Sequence, residues 1–326
     1  MAKTRSLLSY KVLLTLMVIG LALSFSVSEV LAENYPSKTI EMVVWASPGG
    51  GSDRMCRTFA KATEGIFSQS LYAVNKPGGG GAVGMNYVQG KPADGYTVLG
   101  VTNNLVFTPL TKPDLKYSAK DFTPIIMWGF DAKAIAVKAD GPYKTIDDFV
   151  NAAKKAPGKI KIGTFALGSD DHIVGIMLGR AAGTEFGYVP FDSDGEQLAA
   201  LMGGHIDATV TEVKQVTPQV ESGDLKIIAI AAAQRLDGLP DVPTLKDKGW
   251  DVVVPKFRGL VVKKGTPAPV VDYLIAKSLE SIQTPVFKTY LKTSMIEPYF
   301  LVGQSFGDLI EKQEKEFGAI LKELGF

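Results

Sequence analysis

Three adjacent glycines, Gly49-Gly50-Gly51, sit inside the segment Ser47-Pro48-Gly49-Gly50-Gly51-Ser52-Asp53. An apolar run, Ile40 to Ala46, leads into this segment and a helical pattern leads out of it. Glycine lets the backbone come close to a guest and aim several free N–H groups at it, which suits an anion. The competing reading is an ordinary tight turn whose Ser or Asp caps the next helix. A nucleotide is not expected, because the loop lacks the Gly-Lys-Ser/Thr ending that reaches terminal phosphates.

A second segment, Gly163-Thr164-Phe165-Ala166-Leu167-Gly168-Ser169-Asp170-Asp171-His172, also joins a strand pattern to a helical one. It offers hydroxyls, amides and a histidine. His172 reads either as a ligand contact or as a helix-start histidine satisfied within the fold. A third glycine run, Gly79-Gly80-Gly81-Ala82-Val83-Gly84, matches the dinucleotide fingerprint literally. Pro77 interrupts the strand-to-helix passage, and no acidic residue stands about 20 positions on. This run is therefore read as a structural turn or a wall of a cleft, and no cofactor is expected.

The chain has two histidines, His172 and His205. A zinc site would have to rest on scattered carboxylates, so no metal is expected. Ser169, Asp170 and His172 hold the residue types of a hydrolase triad, but a serine three positions from its base in one short turn has no separately placed orienting acid.

The elements that must position these loops alternate between strand and helix, the signature of a parallel sheet with crossover helices. Strands are expected at Ile40 to Ala46, Leu71 to Val74, Tyr96 to Val101, Ile125 to Trp128 and Ala134 to Val137. Met55, Phe59, Ala62 and Ile66 recur at helical spacing and predict one core-facing stripe. A second unit opens at Thr145, where Thr-Ile-Asp-Asp predicts a capped helix. Its strands are expected at Ile160 to Thr164, Gly187 to Pro190, Ile206 to Val210 and Leu225 to Ala231. Helices are expected to start near Asp171, Asp194 and Val213. Apolar runs at Val252 to Val254 and Leu260 to Val262 follow, and three helical patterns close the chain. In open α/β sheets, ligands bind at the carboxyl ends of strands, where both glycine loops fall.

Lys3, Arg5 and Lys11 precede or border an apolar run from Val12 to Phe25, and Val30-Leu31-Ala32 follows. That order predicts a secretory signal over residues 1–32, cleaved after Ala32. The apolar run is shorter than the roughly 20 residues that span a bilayer core. Without that segment, 32 basic residues face 33 acidic ones, a near-neutral balance that offers nothing to hold nucleic acid. The remaining length suggests two domains. Cys56, the single cysteine, can form no internal disulfide and reads as a small buried hydrophobe.

Eight stretches in order resemble the substrate-binding proteins of tripartite tricarboxylate transporters, the Bug or TctC family. They are Tyr35-Pro36-Ser37-Lys38, Ser47 to Asp53, Asn75 to Gly81, Asp94-Gly95-Tyr96-Thr97, Gly168-Ser169 with His172, Val189-Pro190-Phe191, Gly203 to Asp207, and Leu239 to Thr244. The resemblance implies a two-lobed type II periplasmic fold, α/β, each lobe a mainly parallel sheet flanked by helices. Lobe 1 would hold residues 33–132 and 257–326 and lobe 2 residues 133–256, with hinges near 129–133 and 254–258. It also implies carboxylate contacts from Ser47, Gly49, Gly50, Gly51, Ser52 and Asp53, and from Thr164, Gly168, Ser169 and Asp170. Asn103, Asn104, Phe191, Asp192 and Thr211 would complete the walls. Arg258 resembles the arginine of a Trp-Arg-Gly motif and reads either as a partner of a second carboxylate or as a salt bridge.

Much of the family has serines at Asp170 and Asp171, and Tyr-Lys-Gly at Phe191-Asp192-Ser193. Acidic groups beside a carboxylate cost affinity unless they turn away or accept a donor. The expected ligand is thus a small organic acid, a di- or tricarboxylate, that either carries hydroxyl or amino groups or is less anionic than citrate, bound without chemistry by a periplasmic monomer and passed to the membrane subunits of a transporter. The alternatives are a sensor for a signalling receptor and a secreted hydrolase.

Overall fold

The computed structural model describes residues 35–325 except Pro113, Ala166 and Asp192. The expected signal segment and its cleavage point lie outside the described residues.

In chain order the first part comprises β1 (Ile40–Val44), α1 (Gly51–Ala62), β2 (Leu71–Asn75), α2 (Ala82–Gln89), β3 (Thr97–Val101), α3 (Asn104–Thr111) and β4 (Phe122–Asp131). The middle comprises β5 (Lys133–Lys138), α4 (Ile146–Lys155), β6 (Lys161–Thr164), α5 (Asp170–Ala182), β7 (Gly187–Pro190), α6 (Asp194–Met202), β8 (Ala208–Glu212), α7 (Val213–Glu221) and β9 (Leu225–Ala231). The chain ends with β10 (Lys256–Lys263), α8 (Ala268–Ser281), α9 (Pro285–Thr293), β11 (Ile296–Val302) and α10 (Gly303–Glu323).

These strands form two sheets, ordered β11-β4-β10-β3-β1-β2 and β7-β6-β8-β5-β9. Each sheet is mixed rather than mainly parallel. β1 pairs in parallel with β2 and β3, and β6 with β7 and β8. The strands next to the crossovers between sheets run antiparallel: β10 against β3 and β4, and β5 against β8 and β9. The antiparallel pairs arise where the chain enters or leaves a sheet without a crossover helix.

Alternate residues of each strand serve opposite faces. In the first sheet Met42 and Val44 join the Phe59, Trp128 and Phe287 cluster, while Val43 joins a cluster with Leu99, Phe257 and Phe306. Both faces are covered, which is why these strands read as continuous apolar runs. Phe59 stacks on Trp128 at 5.1 Å between ring centroids. Met55, Phe59 and Ala62 form the expected stripe, but Ile66 lies beyond the end of α1. Cys56 is buried. An added Cβ on Gly100 would collide with the Cys56 sulfur, so that glycine is what lets α1 sit down on the sheet. The capping box at Thr145 is present, its hydroxyl accepting from the Asp148 amide while Asp148 accepts from the Thr145 amide.

Two stretches depart from expectation. Val252 and Val254 are buried but belong to an irregular connection rather than a strand. β11 has no clear apolar alternation because it is an edge strand whose pairing slips between Pro298 and Leu301, a place where proline is tolerated.

Candidate ligand-binding site

Parallel β1 and β3 end at one edge of the first sheet, so the loops that begin at Trp45 and Thr102 leave from that edge. Antiparallel β10 starts there, with Lys256 opposite Asp131 at the end of β4. In the second sheet β6 and β8 end at Thr164 and Glu212, and Lys133 at the start of β5 lies opposite Glu212. Only Ala132 separates β4 from β5. The carboxyl edges of the two sheets are therefore held next to each other, and a cleft of about 590 Å³ lies between them. Gly51, Ser52, Arg54, Arg57 and Arg258 line it from one side, with Asp194, Glu212 and Lys214 on the other.

The first glycine loop is braced from within. Gly49 has a φ of +83°, which strains any side-chain-bearing residue, and its amide donates to Asp53 Oδ2 at 2.9 Å. Asp53 also accepts from Arg57 Nε at 3.0 Å and from Asn75 Nδ2 at 2.8 Å, while Arg54 donates to the Gly49 carbonyl at 2.7 Å. Burial alone would raise the Asp53 carboxyl, but these donors hold it below its ordinary value. Asp53 is therefore a brace inside the loop, and the Gly49 amide is turned inward. Gly50 caps α1 with extended backbone and no side chain, leaving the amides of the first turn facing outward from the helix start. Ser52 is buried behind the exposed tip formed by Ser47 to Gly50.

In the second loop the Gly168 amide donates to His172 Nδ1 at 3.0 Å. Nδ1 accepts only in the neutral ring, and burial pushes His172 down to about 4, consistent with that form. The His172 ring also meets Tyr188 edge-on at 4.5 Å. The His172 ring is thus satisfied within the fold at Nδ1. Ser169 caps α5 by accepting the His172 amide at 3.3 Å, and Thr164 is fully buried.

Asp170 and Asp171 both lie beside a buried lysine that the sequence reading did not single out. Lys133 Nζ is 2.6 Å from Asp171, 2.8 Å from Glu212 and 3.2 Å from Asp170, with its side chain 1% exposed. Lys256 adds a second cation to Glu212 at 2.5 Å. Burial opposes the Lys133 charge, yet its three carboxylates hold the ammonium well above its ordinary value. Burial likewise opposes the Glu212 charge, but Lys133 and Lys256 bring it well below. Asp171 is raised to about 7, chiefly by burial, with Asp170 and Glu212 adding to the effect against Lys133. The two acidic residues after Ser169 thus face a buried cation, which offsets part of the repulsion expected toward an anion.

The remaining predicted walls divide. Asn103 is buried; it accepts the Phe257 amide at 3.0 Å and donates to the Pro255 carbonyl at 3.1 Å, fixing the entry to β10. Asn104 folds back on Thr102. Its amide lies where a Cβ on Gly81 would stand, and Gly80 accepts from Thr108 at 2.6 Å. The third glycine run is therefore a packing turn against α3. Phe191 is half-buried beside Gly163, and Asp192 lies outside the described residues. Thr211 is fully buried and donates to Asp194 at 3.2 Å. Arg258 lies 2.8 Å from Asp131, out of line for a hydrogen bond but close enough for an ion pair, and its Nη1 approaches the Gly51 carbonyl at 3.5 Å.

Sequence reading missed Lys133, Asp194, Glu212 and Lys256. A lysine opening the apolar run Ala134 to Val137 and a glutamate closing Ala208 to Thr211 were the available signals. Neither is informative until register sets them opposite each other.

Among the described residues no helix is long and apolar enough to cross a membrane. A family described as the tripartite tricarboxylate transporter family receptor matches residues 55–326, a range that begins just after the first glycine loop. A protein from Cupriavidus necator, named for its position in the gbd 5' region, is 29% identical over 306 residues, 94% of this chain and 93% of its own. The crystal structure of a TctC solute-binding protein from Polaromonas superposes with a TM-score of 0.79 at 31% identity, covering 89% of this chain and 99% of that one. The periplasmic binding protein BugD superposes with a TM-score of 0.74 at 26% identity, over 89% of this chain and 99% of its own.

Proposed function

Since the chain belongs to the tripartite tricarboxylate transporter receptor family, a family of solute-binding proteins rather than enzymes, we propose that it captures a small organic carboxylate in the periplasm and delivers it to the membrane subunits of such a transporter. The observation that carries this reading is the charge of the cleft. Arg54, Arg57, Lys214, Lys256 and Arg258 line it against Asp131, Asp194 and Glu212, a cationic excess in a space sized for a small molecule.

One carboxylate of the ligand meets the first-turn amides of α1, where backbone donors and the helix dipole favour negative charge. Ser47, Gly50, Gly51 and Ser52 supply that end, with Ser169 and Asp170 approaching from the opposite loop. Nη2 of Arg258 is placed for a second carboxylate, because Nε faces Asp131 and Nη1 approaches the Gly51 carbonyl and the Met55 sulfur.

The lobes divide at residues 129–133 and 254–258, and closure about these two connections buries the ligand. Closure is driven only by the difference in ligand affinity between the open and closed states. A thermal-shift screen of organic acids, followed by calorimetry on the hits, tests the reading. Saturable binding of carboxylates, with the acid recovered unchanged, is expected. Turnover of the acid, or a uniform lack of binding, overturns it.

A further inference from the structure

Among the described residues, one second-lobe carboxylate that lines the cleft is in no ion pair with the buried lysines. Asp170, Asp171 and Glu212 all lie within ion-pair distance of Lys133. Asp194, in the first turn of α6, lines the same cleft; among the described residues it is in no ion pair, and its hydrogen bond comes from the neutral Thr211 hydroxyl. One oxygen, Oδ1, is occupied by Thr211, which itself is fully buried and so aims the group. Among the described residues no hydrogen bond reaches the other oxygen, and the cleft that Asp194 lines carries Arg54, Arg57, Lys214, Lys256 and Arg258 against Asp131 and Glu212. Burial and the neighbouring Glu212 raise the Asp194 carboxyl above its ordinary value, against the opposing effects of Lys256, Lys133 and the Thr211 hydrogen bond.

A plain methylene set against Asp194 by closure strips water from a carboxylate and returns nothing. A second ligand carboxylate set there meets like charge. A hydroxyl or an ammonium returns a charge-assisted hydrogen bond. We propose that Asp194 is a specificity-determining residue that selects carboxylates bearing a hydrogen-bond donor, hydroxyl or ammonium, on the carbon chain and turns away unsubstituted acids of the same length. Thr211 is its positioning residue. The inference rests on the carboxylate-receptor reading and adds the rest of the ligand to it.

The test is calorimetry on the full mature chain with matched acids of three to five carbons, each in unsubstituted, 2-hydroxy and 2-amino form. The substituted member is expected to bind at least about tenfold more tightly than its plain counterpart, the size of one hydrogen bond to a charged group. Asp194→Asn should cut that preference sharply while leaving the plain acid's affinity unchanged or improved. Thr211→Val should reduce the preference partway without altering the unfolding temperature by more than a few degrees. The hydroxy and amino arms identify which donor the site takes. Equal binding of plain and substituted acids, or an equal loss for all of them in Asp194→Asn, overturns this inference alone. If no acid binds, the receptor reading falls and takes the inference with it.

Discussion

Lys133 Nζ donates to Glu212 Oε1 at 2.8 Å, although the two residues are 79 positions apart. The pair sits at the mouth of the second sheet, where β5 begins and β8 ends. Because Glu212 also accepts from Lys256 at the start of β10, one carboxylate ties together both connections between the lobes. Buried ion networks of this kind are costly to break from one side, because the charges left behind have neither water nor partner.

Lys133→Met should therefore destabilise the protein by about 3–5 kcal/mol, read from urea denaturation. Adding Glu212→Gln to that variant should recover part of the loss, since one stranded carboxylate is removed. A single-variant loss below about 1 kcal/mol would mean that solvent already reaches the network.

Gly50→Asp tests the first loop. Gly50 has ordinary backbone angles, and the nearest atom to an added Cβ is the Ser47 carbonyl at 3.5 Å, so the change fits. Aspartate is also a better helix cap than glycine by a few tenths of a kcal/mol. The variant should fold with equal or slightly higher stability and lose ligand-induced thermal stabilisation, because its own carboxylate occupies the amides. Retained stabilisation would move the site elsewhere.

Asp53→Ala removes the brace of the same loop. It strands the Gly49 and Asn75 donors, which should cost about 1–3 kcal/mol in chemical denaturation. Ligand affinity should fall as well, through a slower or less complete ordering of the loop. Unchanged affinity by calorimetry would show that the tip, and not its brace, organises the amides.

His172 makes stability depend on pH. Its folded value is lowered to about 4 by burial, against about 6.5 in the unfolded chain. Between those values the unfolded state binds the extra proton, so the stability due to neutral His172 is present above 6.5 and lost as pH falls toward 4. Asp171, raised to about 7, acts in the opposite direction over part of this range, so the wild-type profile alone is ambiguous. The difference between wild type and His172→Asn isolates the histidine. That variant should be less stable at pH 7.5, and its deficit should shrink by pH 4.5. A deficit independent of pH would contradict the buried neutral ring.

Much of the fold could be read from local pattern because the causes are local. The stripe Met55, Phe59 and Ala62, the Thr145 capping box and the glycine loops after β1 and β6 involve residues within a few positions of one another, where helix and strand periodicity operate. These features placed both loops at strand ends, beside the cleft of the candidate site. β11 was not legible, because edge position and a bulge at Pro298 erase the alternation that reveals a strand.

The sequence by itself determined an α/β chain with two glycine loops at strand ends, and it did so through patterns short enough to be set by backbone geometry; a carboxylate guest was implied only by the family resemblance. Only the tertiary structure decided what the polar side chains do. Asp170 and Asp171 belong to Lys133, His172 holds the Gly168 amide, and Arg258 reaches Gly51 across 207 positions. Asp194 is left facing the cleft. The physical reason is that a charge's role depends on which opposite charge lies within a few ångströms. Strand order and register make that choice, and they are settled by packing across the whole chain.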